Sequence, residues 1–193
     1  MRRWTSVVGG TVAAVTLASA CIPVSRVLVW NATASVPTGL YYIAGSNELA
    51  VGDRVLVDPP PGLRGFLAER GYLPLGVPLI KRIAALPGAE VCRAGLVLTI
   101  DGRPAARARR ADRMRRPLPV WSGCRRLLQG EVFVLNPHIP ESFDGRYFGP
   151  LAQDRIAGRA VPLWTDETGS GAHVWLARTA ADPSTTDHQG ELR

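Results

Sequence analysis

Among 23 lysine and arginine residues in this chain, Lys81 is the only lysine. Arginine stays protonated in proteins and cannot serve as a base, whereas a lysine taken out of water gives up its proton readily. Lys81 stands in PLIKRIAAL, residues 78–86. In a strand, Leu79 and Ile83 share its face while Ile80 and Arg82 take the other, so the amine points among apolar neighbours. Bringing a lysine from about 10.4 to near 7–8 takes roughly 3–5 kcal/mol of differential destabilisation, which burial supplies. A base of this kind needs a nucleophile, and Ser35 in TASVPTG, residues 33–39, is the candidate. The competing account makes Lys81 a surface residue on an edge strand and Ser35 part of a turn. A Ser-His-Asp arrangement from Ser35, His138 and Asp144 is allowed by spacing, because triads are set by geometry and not by order. Against it, the chain has no G-x-S-x-G elbow, and an Asn-Pro-His loop suits a solvent-facing imidazole.

The elements that must hold these residues read as short strands. LYYIA (40–44), DRVLVD (53–58), PLIKRIAAL (78–86), LVLTI (96–100), EVFVLN (131–136) and RAVPLW (159–164) are alternating or β-branched runs separated by Gly, Pro and Asp. Asp101-Gly102 is a strong hairpin signal. With 20 Gly and 16 Pro, a mainly β architecture is expected. Two interruptions break the pattern. Residues 59–78 open with three prolines, hold one helical turn around FLAERG that Gly71 would stop, and read as an excursion from the sheet, a lid or flap. The second is the arginine-rich segment from Arg103 to Arg116, with seven arginines against Asp112, which carries most of the net charge of +7. It lacks interleaved aromatic residues, so it suits a solvated loop or anionic lipid headgroups better than nucleic acid.

Three segments are expected. Residues 1–26 form an N-terminal membrane anchor, because no charge interrupts Trp4 to Ser25 and such a helix just crosses a bilayer core of roughly 30 Å. Arg2 and Arg3 would stay cytoplasmic, which exports everything that follows. A cleaved signal peptide ending near Ala18-Ser19-Ala20 and a lipid-modified Cys21 are the alternatives, and both export the same domain. Residues 27–164 form the β-rich domain, and 165–193 a polar, disordered tail. Cys92 and Cys124 are the only cysteine pair in the exported part; an oxidising compartment would let them join, worth roughly 3–4 kcal/mol in the chain-entropy model, or they stay as buried thiols. Neither they nor the scattered histidines have the paired spacing of a zinc site, and no cofactor motif is present.

Four segments, in this order, resemble the type I signal peptidases, membrane-anchored serine-lysine proteases: TASVPTG, VGDRVLV, IKRIAALPGAEV and SFDGRYFG. The resemblance implies a signal-peptidase-like β-rich catalytic domain in which Ser35 is the nucleophile and Lys81 its base, without metal or cofactor. It places Thr33 where the family can have an oxyanion-hole hydroxyl, the alternative being a threonine that bonds locally. Ser142 falls where a serine orients the lysine; Asp144, grouped with Ser35 and Lys81 as catalytic, falls in a supporting network, and Arg146 would pair with Asp144 or hold the loop, a structural role. Two departures stand out: one residue separates Ser35 from Pro37 where general signal peptidases usually have two, and Gly145 replaces a usual serine. The S-x-P-x-G-L-Y form, the small size and the single anchor look more like the TraF-type peptidases of conjugative transfer systems. That implies a membrane-embedded, pilin-like precursor cut near its C-terminus, with head-to-tail joining through an acyl-enzyme. The enzyme would sit in the bacterial inner membrane by one pass, its catalytic domain periplasmic. A general leader-peptide peptidase and a non-catalytic anchored subunit are the competing functions.

Overall fold

The structure is a computed structural model and describes residues 27–46 and 48–177. The expected anchor, residues 1–26, and the last part of the expected tail lie outside the described residues. Among the described residues no helix is long and apolar enough to cross a membrane.

Twelve strands dominate: β1 (Leu28–Asn31), β2 (Thr38–Ala44), β3 (Arg54–Val57), β4 (Leu79–Ala85), β5 (Glu90–Ala94), β6 (Val97–Ile100), β7 (Arg103–Arg107), β8 (Gly123–Arg126), β9 (Glu131–Val134), β10 (Leu151–Ala152), β11 (Ile156–Asp166) and β12 (Val174–Trp175). Among the described residues two helices, α1 (Pro61–Glu69) and the single turn α2 (Gly145–Phe148), accompany these strands with a 3-10 turn at Gln153–Arg155. The large sheet runs β1-β2-β11-β3-β4-β9-β10 with β12 added to β11, and its neighbours are antiparallel. The small sheet runs β7-β6-β5-β8.

Strand β11 shows how sequence makes this sheet. Ile156, Gly158, Ala160 and Pro162 face inward in alternation, as a period of two demands. The register then shifts between Pro162 and Trp164, turning Trp164 outward and Thr165 and Asp166 inward. Gly39 pairs with Thr165, and a Cβ on Gly39 would stand 2.2 Å from the Trp164 carbonyl oxygen. Only glycine lets β2 and β11 approach so closely there.

Every run read as a strand from the sequence is one, and Asp101 and Gly102 both take positive φ in the turn from β6 to β7. Several expectations change. The excursion holds not one turn but nine helical residues in α1: Pro61 sits in its first turn, where a missing N–H costs nothing, and Gly71 at φ 66° follows its end. The excursion packs on the rest of the fold, Phe66 and Tyr72 lying against Phe143 with ring centroids 5.3 and 5.5 Å away. The arginine-rich segment begins as β7, and the loop after it is pinned by Asp112, which accepts from Tyr72 Oη at 2.6 Å and Arg116 Nε at 2.7 Å. The boundary placed after residue 164 falls inside β11. Thr165 and Asp166 are buried in the strand, and Glu167 forms a two-pronged ion pair with buried Arg54 at 2.9 and 2.7 Å.

The main core joins Val55, Val57, Leu79, Ile83, Val132 and Val134 of β3, β4 and β9 to Leu67 of α1 and Tyr147 of α2. A second cluster, Val91, Leu98, Leu127 and Phe133 among it, sits between the sheets. Cys92 and Cys124 face one another across β5 and β8 and form a disulfide, which decides between the two states left open by the sequence.

Candidate active site

The loop between β1 and β2 carries Ser35, and one side chain shapes it. Asn31 Nδ2 donates to the carbonyls of Thr33, Val36 and Pro37 at 2.8, 3.1 and 3.0 Å, while Asn31 Oδ1 accepts from the Thr33 N–H at 3.2 Å. Buried Tyr41 also donates its hydroxyl to the Pro37 carbonyl at 2.7 Å, and burial pushes its pKa up to about 12. The tight turn leaves Ser35 half-buried. Its Oγ lies 3.3 Å from Thr33 Oγ1. Thr33 in turn donates its hydroxyl to Asn31 Oδ1 at 2.9 Å, so it bonds locally, and oxyanion donation would require that hydroxyl to turn.

Lys81 enters from β4 and is 2% exposed, between Leu79 and Ile83 in the main core. Ile80 faces the opposite side, in a third cluster with Val36, Tyr41, Leu56 and Ala160, the alternation read from the sequence. Nζ donates to Ser142 Oγ at 3.0 Å, not to Ser35. Burial lowers the Lys81 pKa to about 8; the negative charge of Asp144 opposes the shift and Arg146 adds to it.

Asp144 and Arg146 close the segment that carries Ser142. Asp144 is fully buried and caps α2, its Oδ1 accepting from the Arg146 N–H at 3.2 Å and from Arg146 Nε at 2.8 Å. Oδ2 accepts from Arg146 Nη2 at 2.8 Å and from the Asn136 N–H at 3.0 Å. Arg146 Nη2 also reaches the carbonyls of Asn136, Ile139 and Ser142 at 3.2, 2.7 and 3.2 Å, which draws residues 136–142 into a loop around one guanidinium. Asp144, grouped with Ser35 and Lys81 as catalytic in the sequence reading, makes no hydrogen bond to either; it acts on Lys81 through charge alone. From the small sheet, buried Arg93 donates to the Arg146 carbonyl and, at 3.3 Å, to that of Pro119. The glycine that departs from the family pattern has a physical reason: a Cβ on Gly145 would stand 2.6 Å from the Phe133 ring and 2.7 Å from the Val134 carbonyl oxygen.

Two asparagines were missed by sequence reasoning. Asn31 ends a strand too exposed to be read as one, and Asn136 precedes a proline, which reads as a turn. Asn136 Nδ2 joins the Ser35 loop to the Ser142 loop, 101 residues apart in the chain.

A mainly β domain holding a half-buried serine and a desolvated lysine on one hydrogen-bond network defines the class: a serine peptidase. Comparison with known proteins narrows it. The sequence profile of the signal peptidase family, peptidase S26, matches residues 1–164, so the chain belongs to that family. The probable conjugal transfer protein TraF of Sinorhizobium fredii is 34% identical over 146 residues, covering 70% of this chain and 76% of that protein. The plasmid transfer protein TraF of Escherichia coli is 33% identical over 145 residues, covering 70% and 81%. The probable signal peptidase I-1 of Synechocystis is 32% identical over 111 residues, covering 58% and 52%. A crystal structure of signal peptidase I from Enterococcus faecalis covers 60% of this chain and 98% of that one at 20% identity and a TM-score of 0.35.

Proposed function

We propose that this serine peptidase works by a Ser35–Lys81 dyad and processes a membrane-embedded, pilin-like precursor in conjugative transfer. The observation that carries the dyad is the desolvated Lys81 amine, held by Ser142 and tied through Asn136 to the Ser35 loop. Ser35 Oγ attacks the scissile carbonyl as Lys81 Nζ takes its proton, and the oxyanion is received by the Ser35 N–H. Lys81 then protonates the leaving amine, and the acyl-enzyme is resolved by water or by the precursor's own N-terminal amine, which would close a ring. The TraF names of the relatives support the setting in conjugation, and the single residue between Ser35 and Pro37 favours it over removal of N-terminal leaders.

The membrane setting is supported by an aromatic surface where the chain leaves residue 26. Trp30 and Trp175 are 55% and 71% exposed, beside exposed Val27, Leu28, Val174 and Leu176. Trp164 touches both, tilted against Trp30 with centroids 6.2 Å apart and stacked on Trp175 at 6.0 Å. Amphipathic rings of this kind suit the headgroup layer. A bilayer against this surface would bring precursor and Ser35 to one level.

Ser35→Ala is expected to abolish cleavage of a co-expressed pilin precursor without unfolding the protein, because the Ser35 hydroxyl touches only Thr33. The intact mass of the wild-type product separates the fates: a ring is one water lighter than the linear cut chain, and loss of an N-terminal piece instead marks a leader peptidase. Persistence of cleavage in Ser35→Ala defeats the dyad. The kcat/KM profile is expected to rise through about pH 8 as Lys81 loses its proton. A rising limb complete below pH 7 would assign the base elsewhere.

A further inference from the structure

We propose that Asn136 is a positioning residue that sets both halves of the dyad; the role rests on the Ser35–Lys81 reading above. Asn136 is buried two residues beyond the end of β9, and its carboxamide meets three parts of the site. Nδ2 donates to the Ser35 carbonyl at 2.6 Å and to Ser142 Oγ at 3.4 Å, and Oδ1 accepts from the Arg82 N–H at 3.1 Å. Its backbone is held separately, N–H to Asp144 and carbonyl by Arg146. The side chain is therefore not needed to keep the loop closed.

Each contact has a consequence. The bond to the Ser35 carbonyl fixes the peptide that follows the serine and with it the direction of the Cα–Cβ bond that aims Oγ. At Ser142 the two lone pairs of the hydroxyl receive Asn136 Nδ2 and Lys81 Nζ. With both lone pairs filled, the Ser142 proton points away from Lys81, and the amine's own lone pair is left for Ser35. At β4 the side chain replaces a backbone acceptor: Leu135 donates to the Arg82 carbonyl at 2.9 Å and Asn136 Oδ1 takes the Arg82 N–H, which holds the residue after Lys81 in place. Only a carboxamide of this length gives two donors and an acceptor from one buried atom group.

The test compares wild type, Asn136→Ala, Asn136→Asp and Ser35→Ala as full chains, on the same membrane-embedded precursor. Asn136→Ala is expected to lower kcat about 10–100-fold, the scale of a small misplacement of reacting groups, with KM within about threefold and the chain still folded at assay temperature, its melting temperature lowered by the loss of buried hydrogen bonds. Asn136→Asp keeps the volume, loses both donors and brings a carboxylate towards Lys81. It is expected to lower kcat further and to move the rising limb of the pH profile above its wild-type position, because a negative charge favours the ammonium. A kcat for Asn136→Ala within threefold of wild type overturns the role, and so does an Asn136→Asp limb that stays at the wild-type pH. If Asn136→Asp does not fold, Asn136→Ala decides alone. An active Ser35→Ala enzyme would instead remove the dyad, and this role with it.

Discussion

Lys81→Met is expected to abolish peptide-bond cleavage while leaving the protein at least as stable as wild type at pH 7. Activity falls by at least about 10³-fold, because methionine matches the length of the stem but has no lone pair basic enough to take the Ser35 proton. Stability moves the other way. The folded lysine has a pKa near 8 against an ordinary 10.5, so between those values the unfolded chain binds more protons and stability rises with pH. At pH 7, below both, the cost of burying the ammonium is present in full, on the order of 3 kcal/mol. Methionine removes that cost and fills the same space beside Leu79 and Ile83, while Ser142 keeps its bond from Asn136. Urea unfolding at pH 7 and pH 10 checks the sign: the advantage of the variant should shrink as wild-type Lys81 becomes neutral. A variant clearly less stable than wild type at pH 7 contradicts the account.

Arg146→Met is expected to cost about 3–5 kcal/mol, the largest stability loss of any single change at the site. It leaves Asp144 fully buried with its charge uncompensated, and it takes the guanidinium from three loop carbonyls, of which those of Asn136 and Ile139 keep a backbone N–H. The loop then no longer holds Ser142 against Lys81, so activity falls with stability. Adding Asp144→Leu should restore part of the stability, since the stranded charge is gone, but not the activity, since the loop still lacks the guanidinium that gathers it. Chemical denaturation of the single and double variants measures both. Equal stability of the two would place the loss in the carbonyl contacts and not in the ion pair.

Much of this was legible in the sequence, for reasons that explain what was not. Strands β2, β3, β4, β9 and β11 each bury one face or both, and so carry patterns of apolar residues that a reader can find. Strands β7 and β8 lie at the edges of the small sheet, largely exposed, and their arginines read as loop. Lys81 was visible because no other lysine competes with it. Asp144 and Arg146 were visible as a pair through the resemblance; only the folded loop shows that both carboxylate oxygens face that one guanidinium. Asn136 left no signal, because its role depends on Ser35, Arg82 and Ser142 meeting in space, and neither spacing nor periodicity records that.

The wide separation of these residues along the chain also orders the birth of the enzyme. Ser35 is synthesised early, Lys81 follows, and Asn136 and Ser142 come more than fifty residues after that. Contacts this distant form only when most of the domain has collapsed, since loop closure must precede the interactions that reward it. A nascent or half-folded chain thus carries a serine on a loose turn and a lysine still wet and protonated, and is inert towards itself and its neighbours. The topology gives this peptidase the safety of a zymogen.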